Sequence, residues 1–405
     1  MARQRKTEVL VVGAGPVGLM AACVLVHRGV EVTVIDRNYR TATHSYALAL
    51  HGASLGLLDE LGMARPLVEL GRVVPRMVFY EGEQTRAEVD LEAAGGNQWP
   101  GVLVLPQSQL EWSLERELRR KGVPILWNHE LVAVEQDEHH VLARVDKYDR
   151  VSSGYPVSRT EWVVAGHLDM RAAHVIGADG YESAVRQSLG VDYTLHGGRQ
   201  CFSVYEFETG ENLPDHMALC LDGETTDLFW PMPEGAGRWG IQIAGLDRHD
   251  PTPEALHRAL DARAPWFVPR PERLLWSSHV LFEHRLAESF GRGRLWLAGD
   301  AAHLTGPAGN QSMNVGLIEA RELAGLLADE IWSEAVTPQT VRDYDRRARA
   351  RWRRLLNLEG RLRATGEADP WVAERLERLP PLLPACGEDL DALLGQLGLE
   401  ASSGD

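Results

Sequence analysis

The sequence predicts an α/β fold built on a parallel sheet, with a second β-sheet and a helical C-terminal stretch. Three observations carry this. Residues 8–12 form an apolar run followed at once by Gly13-Ala14-Gly15-Pro16-Val17-Gly18, a helical apolar stretch, and a β-branched run at 30–35 that ends on Asp36. Two later apolar runs, 173–176 and 293–298, also end at a Gly/Asp turn ahead of a helical pattern. From about residue 191 the texture changes to β-rich segments separated by Gly and Pro, the signature of an antiparallel sheet.

Composition bounds the function classes. The chain has 405 residues, 44% hydrophobic and 25% charged, ample for two or three domains or subdomains with a sizeable core. Its formal net charge of −16 argues against a nucleic-acid binder and against tight binding to anionic lipid. A small acidic substrate in a local basic pocket stays compatible. Lys6, Lys121 and Lys147 are its lysines, so positive charge is almost all Arg. Cys23, Cys201, Cys220 and Cys386 are far apart and contain no C-x-x-C pair, which fits neither a disulfide framework nor a metal site. Cys23, in an apolar helical run, reads as a buried free thiol. The apolar stretch 17–26 is too short to span a bilayer. The basic N-terminus leads into a strand with no small-residue cleavage site, so a cytoplasmic, non-exported protein without stable membrane insertion is expected.

Taken in order, 8–12 is a buried parallel strand, 19–28 a helix stopped by Gly29, and 30–35 a second strand. A helix is expected at 54–61 and strands at 77–80 and 87–91 around Gly82. An amphipathic helix follows at 109–120, closed by Gly122. Strands are expected at 125–127, 131–136, 141–145, 162–164 and 173–176, with a hairpin loop at 152–158. The β-rich region reads as strands at 202–207, 217–221, 226–230 and 239–243. A long helix is expected at 315–331 and an Arg-rich solvated helix at 341–363, with residues 401–405 frayed.

The Gly turn carries the first chemistry. Gly13 permits the tight turn, Gly15 lets backbone approach a pyrophosphate, and Gly18 lets helix and strand pack closely. Pro16 opens the helix, whose N-terminus offers free N–H groups to phosphate. Asp36 stands where a carboxylate accepts hydrogen bonds from an adenosine ribose. It repels a ribose phosphate, so FAD or NAD fits better than NADP. A second motif is Val175-Ile176-Gly177-Ala178-Asp179-Gly180, continuing to Ser183, Val185 and Arg186. A third is Leu295-Trp296-Leu297-Ala298-Gly299-Asp300-Ala301-Ala302-His303, then Pro307, Gly309 and Met313-Asn314. Taken alone, Asp179 or Asp300 reads as a helix N-cap.

Together the three segments, in this order over residues 7–340, resemble the class A flavoprotein monooxygenases, the p-hydroxybenzoate hydroxylase-like family. The resemblance implies a Rossmann-like FAD-binding domain, an inserted antiparallel β-sheet substrate domain and a helical C-terminus. It implies a discontinuous FAD-binding domain of 1–75, 101–190 and 286–340, a substrate domain of 76–100 and 191–285, and a C-terminal region of 341–405. Gly13, Gly15, Pro16, Gly18, Asp36 and Arg37 would then hold the ADP half of FAD. Asp179 is linked to the pyrophosphate region and to nicotinamide cofactor use, and Asp300 to the ribityl side. Gln107 matches a glutamine that contacts FAD. Pro307, Gly309, Asn310, Gln311, Ser312, Met313 and Asn314 border the isoalloxazine ring, with the helix from Gln311 aiming its amides at the flavin. The sequence departs from the family at Tyr46 and Ala53, where Arg is usual; Arg37 and Arg40 are the candidate substitutes. It also has Asn310 and Ser312 at usual Gly positions, and Glu319 where Asp is common. The chain is too short for the thioredoxin-like third domain of larger members.

The implied activity is hydroxylation of an aromatic or polyketide-like small molecule. NADPH or NADH acts as transient reductant, with O2 and a flavin C4a-hydroperoxide as oxidant. Tyr205, Phe207, Phe229, Trp230 and Met232 alternate along two sheet strands and are the candidate substrate pocket. Each alone reads more plainly as sheet core. His51 and His303 are the candidates for proton transfer, although a lone His is more often structural. Baeyer–Villiger or epoxidising chemistry, a flavin reductase or dehydrogenase, and a non-catalytic flavin-binding protein remain alternatives. The altered loop at Asn310 and Ser312 is the feature favouring the last. A flavin halogenase is set aside, because no Lys lies between Lys6 and Lys121 and Phe229-Trp230-Pro231-Met232-Pro233 is not the required Trp-x-Trp-x-Ile-Pro segment. A monomer or homodimer with no metal is expected.

Overall fold

Six strands make the first sheet, in the order Gly291–Arg292, Leu295–Leu297, His174–Gly177, Val9–Val12, Val32–Asp36, Ile125–Trp127. All neighbours are parallel except the edge strand Gly291–Arg292. A computed structural model describes residues 3–41, 48–94, 98–153, 159–223, 225–243, 251–332, 338–359 and 362–401. The apolar Val9–Val12 run is buried on both faces, as a central parallel strand requires. All three motifs leave this sheet from its C-terminal edge, where ligands of such sheets bind.

The helix Pro16–His27 starts with Pro at its first turn and ends before Gly29, which takes φ +79°. Its Ala21, Ala22 and Cys23 are fully buried, and it packs on the long helix Gln311–Trp332. All four cysteines are free and buried, and burial pushes the Cys23 thiol far up. A four-stranded sheet of Arg3–Lys6, Arg159–Ala172, Val141–Ser153 and His129–Gln136 lies beside the first. Its two long strands extend well beyond the expected 141–145 and 162–164. The expected loop 152–158 falls partly on Ser152 and Ser153, which are strand, and otherwise outside the described residues.

The second large sheet has seven strands, in the order Arg273–Phe282, Gln200–Glu208, Ala236–Ile243, Thr225–Pro231, Met217–Asp222, Arg76–Glu81, Gln84–Asp90. It is antiparallel except for one pair: Met217–Asp222 runs parallel to Arg76–Glu81, because the chain passes through the first sheet between them. Phe202, Val204, Leu228 and Trp230 belong to the core on its front face. Tyr205, Phe207, Phe229 and Trp239 belong to the core on its back face, under the helix Pro253–Arg263.

The C-terminal stretch divides between two cores. The helix Pro338–Leu355 buries Tyr344, Ala348 and Trp352 against the first sheet's core. Trp371, Val372, Leu379, Leu383 and Leu390 instead join the front-face core of the second sheet. The helix expected to run to 363 stops at Leu355. Asn357 turns left-handed at φ +55°, and Leu362–Ala364 is a strand paired with Leu399–Ala401. Among the described residues, no helix is long and apolar enough to cross a membrane.

Candidate functional site

A groove runs over the C-terminal edge of the first sheet and widens into two cavities that share Gly15, Ala178 and Gly180. The first, of about 290 Å³, is lined by Gly13, Gly15, Asp36, Arg37, Asp179 and neighbours. The second, of about 400 Å³, is lined by Gly15, Pro16, Gln107, Asp300, Pro307, Asn310, Ser312 and Met313 among others. Twelve of the sixteen sequence-assigned cofactor residues therefore face one groove.

The three glycines sit in three different surroundings. Gly13 takes φ +104°, and a Cβ there would lie 2.1 Å from the Ala178 carbonyl oxygen. A Cβ on Gly18 would lie 2.0 Å from the Gly13 oxygen. A Cβ on Gly15 would meet no atom within 4 Å, because Gly15 faces the groove itself. Gly15 also caps the helix Pro16–His27, with no side chain bonded to its first amides. This is a backbone cradle open to an anion.

The acidic residues follow. Asp36 accepts the Ala14 and Asn38 N–H groups, each at 2.7 Å, one per carboxylate oxygen. Both oxygens keep a lone pair for a ribose hydroxyl. Arg37 is exposed and stands 3.4 Å from Glu182 across the groove rim. Asp179 Oδ2 accepts the Ala184 and Val185 N–H groups at 2.7 and 3.3 Å. Its Oδ1 is buried with no partner, and burial raises the carboxyl above its usual range. Asp179 is thus both the helix cap of the plainer reading and a group that lacks a ligand-side donor. Ser183 caps the same short helix by accepting the Arg186 N–H at 3.0 Å. Arg186 ties the second motif to the third, donating to the Ala301 oxygen at 2.9 Å. Asp300 has an exposed surface within the groove, yet protein packs so densely around it that desolvation raises its carboxyl, with His303 acting the other way. Gln107 donates to Glu111 at 2.6 Å, and Glu111 lines the first cavity.

The loop from Pro307 to Asn314 is corrected in part. Gly309, Gln311 and Asn314 do not line the groove. Gln311 is fully buried and donates to the Leu383 and Ala385 carbonyls at 2.5 and 2.6 Å. A Cβ on Gly309 would crowd the Pro381 and Leu383 carbonyls. Asn314 accepts from His51 N–H and Ser54 Oγ and donates to the Ala49 and Asn310 carbonyls, all at 2.8 Å. These side chains point away from the cavity because the loop is anchored on two distant segments. Two of the family departures, Asn310 and Ser312, are accommodated by hydrogen bonds. Asn310 takes φ +50°, which Asn tolerates, and its Oδ1 accepts the Leu48 N–H at 3.0 Å. Ser312 Oγ accepts the Thr305 N–H at 3.0 Å. Tyr46 lies outside the described residues, and Ala53 sits in the helix Gly52–Glu60.

Neither candidate histidine reaches the groove. His51 Nε2 donates to the Gly309 carbonyl at 2.8 Å inside the core, and burial lowers it to about 4. His303 is fully enclosed, bonded to Glu319 and stacked on Trp352.

The substrate-pocket residues split by strand parity. Trp230 lines a small cleft with Leu48, Phe202, Leu228, Phe282 and Pro307, and Met232 lies in the same front-face core. Tyr205, Phe207 and Phe229 point to the back face, beneath Trp239 and Phe267. Successive strand residues face opposite ways, so four aromatics and a methionine spread over both parities cannot share one pocket. The sequence reading missed Phe202, Phe282 and a side cavity of about 280 Å³. That cavity is lined by His196, Gln200, Phe202, His284 and Pro307 on one side and by Leu356, Leu358, Pro381 and Leu382 on another. Apolar parity with Trp230 marks Leu228 but not Phe202, whose strand register is tertiary. Among the described residues, no cluster of three metal-binding side chains occurs.

An open glycine cradle, an orphaned buried carboxylate oxygen and an acid at the ribose position fit FAD. Comparison with known proteins agrees. The family described as FAD binding domain matches residues 6–358. The chain is 32% identical over 332 residues to the 6-methylpretetramide 4-monooxygenase of Streptomyces rimosus, covering 81% of this chain and 57% of that protein. It is 29% identical over 334 residues to the rifampicin monooxygenase of Rhodococcus hoagii, covering 80% and 64%. It thus spans less than two thirds of either relative's length. The crystal structure of the p-nitrophenol 4-monooxygenase from Pseudomonas putida DLL-E4 has the same fold, with a TM-score of 0.76 at 22% identity over 97% of this chain and 99% of that one. The chain belongs to the FAD binding domain family of flavoproteins.

Proposed function

We propose that this protein is an FAD-dependent monooxygenase that uses NAD(P)H and O2 to hydroxylate an aromatic or polyketide-like small molecule. One observation carries this: Pro307 and Phe282 wall the flavin cavity and, with Phe202, Leu228 and Trp230, also wall an apolar cleft on the front of the second sheet. That cleft, of about 20 Å³, is too small for a ring, but Phe202 and Pro307 also wall the side cavity of about 280 Å³, where a planar ring would lie beside the flavin site.

Bound FAD supplies electron uptake from the nicotinamide and the activation of oxygen. The chain's own residues do the rest. The Gly15 backbone and the first turn of Pro16–His27 receive the pyrophosphate, Asp36 the adenosine ribose, and Asp300 the ribityl hydroxyls. The helix Gln311–Trp332 begins at the flavin cavity, so its partial positive end favours negative charge on a bound ring. Leu356, Leu358, Pro381 and Leu382 give the side cavity an apolar wall. The bonds made by Asn310 and Ser312 keep the loop shaped, which removes the feature that favoured a non-catalytic flavin binder. The relatives' names, a 6-methylpretetramide 4-monooxygenase and a rifampicin monooxygenase, support an aromatic or polyketide-like substrate.

The test is anaerobic reduction of the purified flavoprotein by NADPH or NADH, with and without candidate phenols, followed by aerobic product analysis. Faster bleaching with a phenol and an oxygenated product are expected. A flavin that is reduced at the same rate with every aromatic, and gives no oxygenated product, would overturn the proposal.

A further inference from the structure

The side cavity meets the flavin cavity at Gly306 and Pro307, which line both. An apolar cavity of about 150 Å³ takes one benzene ring. The side cavity, at about 280 Å³, therefore takes one substituted ring or two fused rings, and not four. Phe202 gives it a wall from the second sheet, and Leu356, Leu358 and Leu382 give it a wall from the C-terminal stretch. That second wall is tied down twice. Gln311 donates to the Leu383 and Ala385 carbonyls, and Arg378 donates to the Gly223 and Thr225 carbonyls and the Thr226 hydroxyl. Moving the wall outward would break these bonds, so the cavity does not widen that way. Leu358 is half-buried yet, among the described residues, belongs to none of the three cores. Its side chain finds its apolar contact at the cavity, and its N–H is held by the Arg353 carbonyl at 2.7 Å.

We infer that the substrate is an uncharged aromatic of one or two fused rings, with Leu358 setting the ring limit and Glu377 turning away arenes that carry a carboxylate or sulfonate. This rests on the monooxygenase reading above. The lining residues exposed to solvent are Gly197 and Glu377. A further ring reaching past them meets water and a carboxylate, and gains nothing from apolar burial. Among the described lining residues, the formal charges are those of Glu377 and Arg378, and Arg378 is committed to the turn at 223–226. Burial holds both His196 and His284 below the ordinary histidine range, so neither ring is a cation at neutral pH. An anionic arene would give up its water for a cavity that offers it a like charge and no cation to pair with. The acidic substrate that composition left open finds no basic pocket here.

The experiment uses the FAD-loaded protein with phenol, 1-naphthol, the four-ring 1-hydroxypyrene and the anionic 6-hydroxy-2-naphthoate. Binding is read from the change in the flavin spectrum, and turnover from aromatic-stimulated oxidation of NAD(P)H. In wild type, kcat/KM for 1-naphthol should exceed that for 1-hydroxypyrene and for 6-hydroxy-2-naphthoate by roughly 10-fold or more. Leu358→Ala should narrow the gap between 1-naphthol and 1-hydroxypyrene, and Leu358→Trp should lower 1-naphthol relative to phenol by roughly 10-fold. Glu377→Gln should bring 6-hydroxy-2-naphthoate closer to 1-naphthol. Each readout is a ratio between substrates, which a general folding defect does not move, and flavin content checks the fold. Wild type that takes 1-hydroxypyrene or 6-hydroxy-2-naphthoate as well as 1-naphthol overturns the proposal and leaves the monooxygenase reading intact. Ratios unchanged in the flavin-replete variants also overturn it. If no aromatic alters the flavin spectrum or stimulates oxidation of NAD(P)H, that reading falls and this proposal with it.

Discussion

His303 and Glu319 face each other at 2.5 Å with neither side chain reaching solvent. Trp352 completes the cluster: its ring stacks on His303 at 3.9 Å between centroids, and its Nε1 donates to the second Glu319 oxygen at 2.7 Å. The third motif, the long helix and the C-terminal helix are joined at this point. Glu319→Ala leaves two buried donors unpaired and should cost about 3 kcal/mol. Chemical denaturation checks it, and a loss no greater than that of an ordinary surface substitution would refute the clamp. Glu319→Gln should cost less, since it can still accept one bond.

Gly15 and Gly18 should separate flavin binding from folding. Gly18→Ala drives a Cβ to 2.0 Å from a backbone oxygen, so the soluble yield or melting temperature should fall sharply. Gly15→Val should fold, since its Cβ meets open space, but should carry less FAD after reconstitution. Full flavin content in Gly15→Val would remove Gly15 from the cradle.

The parity of the second sheet predicts two different phenotypes. Trp230→Ala, on the front and just as buried, should destabilise by about 3–5 kcal/mol and also raise the KM for an aromatic substrate. Phe207→Ala, on the back, should destabilise by about 3–5 kcal/mol while leaving the KM of the folded fraction unchanged. Steady-state kinetics beside thermal melts decide it, and the reverse pattern would show the faces misassigned.

His51 makes stability depend on pH. Its folded value is lowered to about 4 by burial, against about 6.5 when unfolded. Between these values the unfolded chain binds a proton that the folded chain does not. The contribution is therefore full above about pH 6.5 and is lost as pH falls through 4, amounting to roughly 3 kcal/mol. Denaturation free energies of wild type and His51→Gln should diverge most above pH 6.5 and converge on acidification. Parallel curves would show that His51 does not titrate in this window.

Gln311→Ala should free the C-terminal segment, because two buried carbonyls, of Leu383 and Ala385, lose their donor. Amide exchange in residues 383–397 should accelerate while the strand Val9–Val12 keeps its protection. Unchanged exchange would mean that apolar packing alone holds the segment.

What the sequence determined by itself is local. Gly13, Gly15, Gly18 and Asp36 sit within one strand–turn–helix–strand unit, so their roles follow from backbone geometry over a short stretch. Asp179 and Asp300 are also legible, as acids at strand ends. Tertiary structure decided everything that needed two distant segments in register. Strand parity sends Phe207 and Phe229 to the back face, and only pairing with the strand Ala236–Ile243 fixes which face meets the flavin cavity. His51 and His303 look free in sequence, but packing encloses them. His284 and Gln200 meet at Gly306 from three separate parts of the chain. One wall of the side cavity comes from Leu356, Leu358, Pro381 and Leu382, in a stretch expected as a helical tail, because apolar residues without a local partner must find their burial elsewhere in the fold.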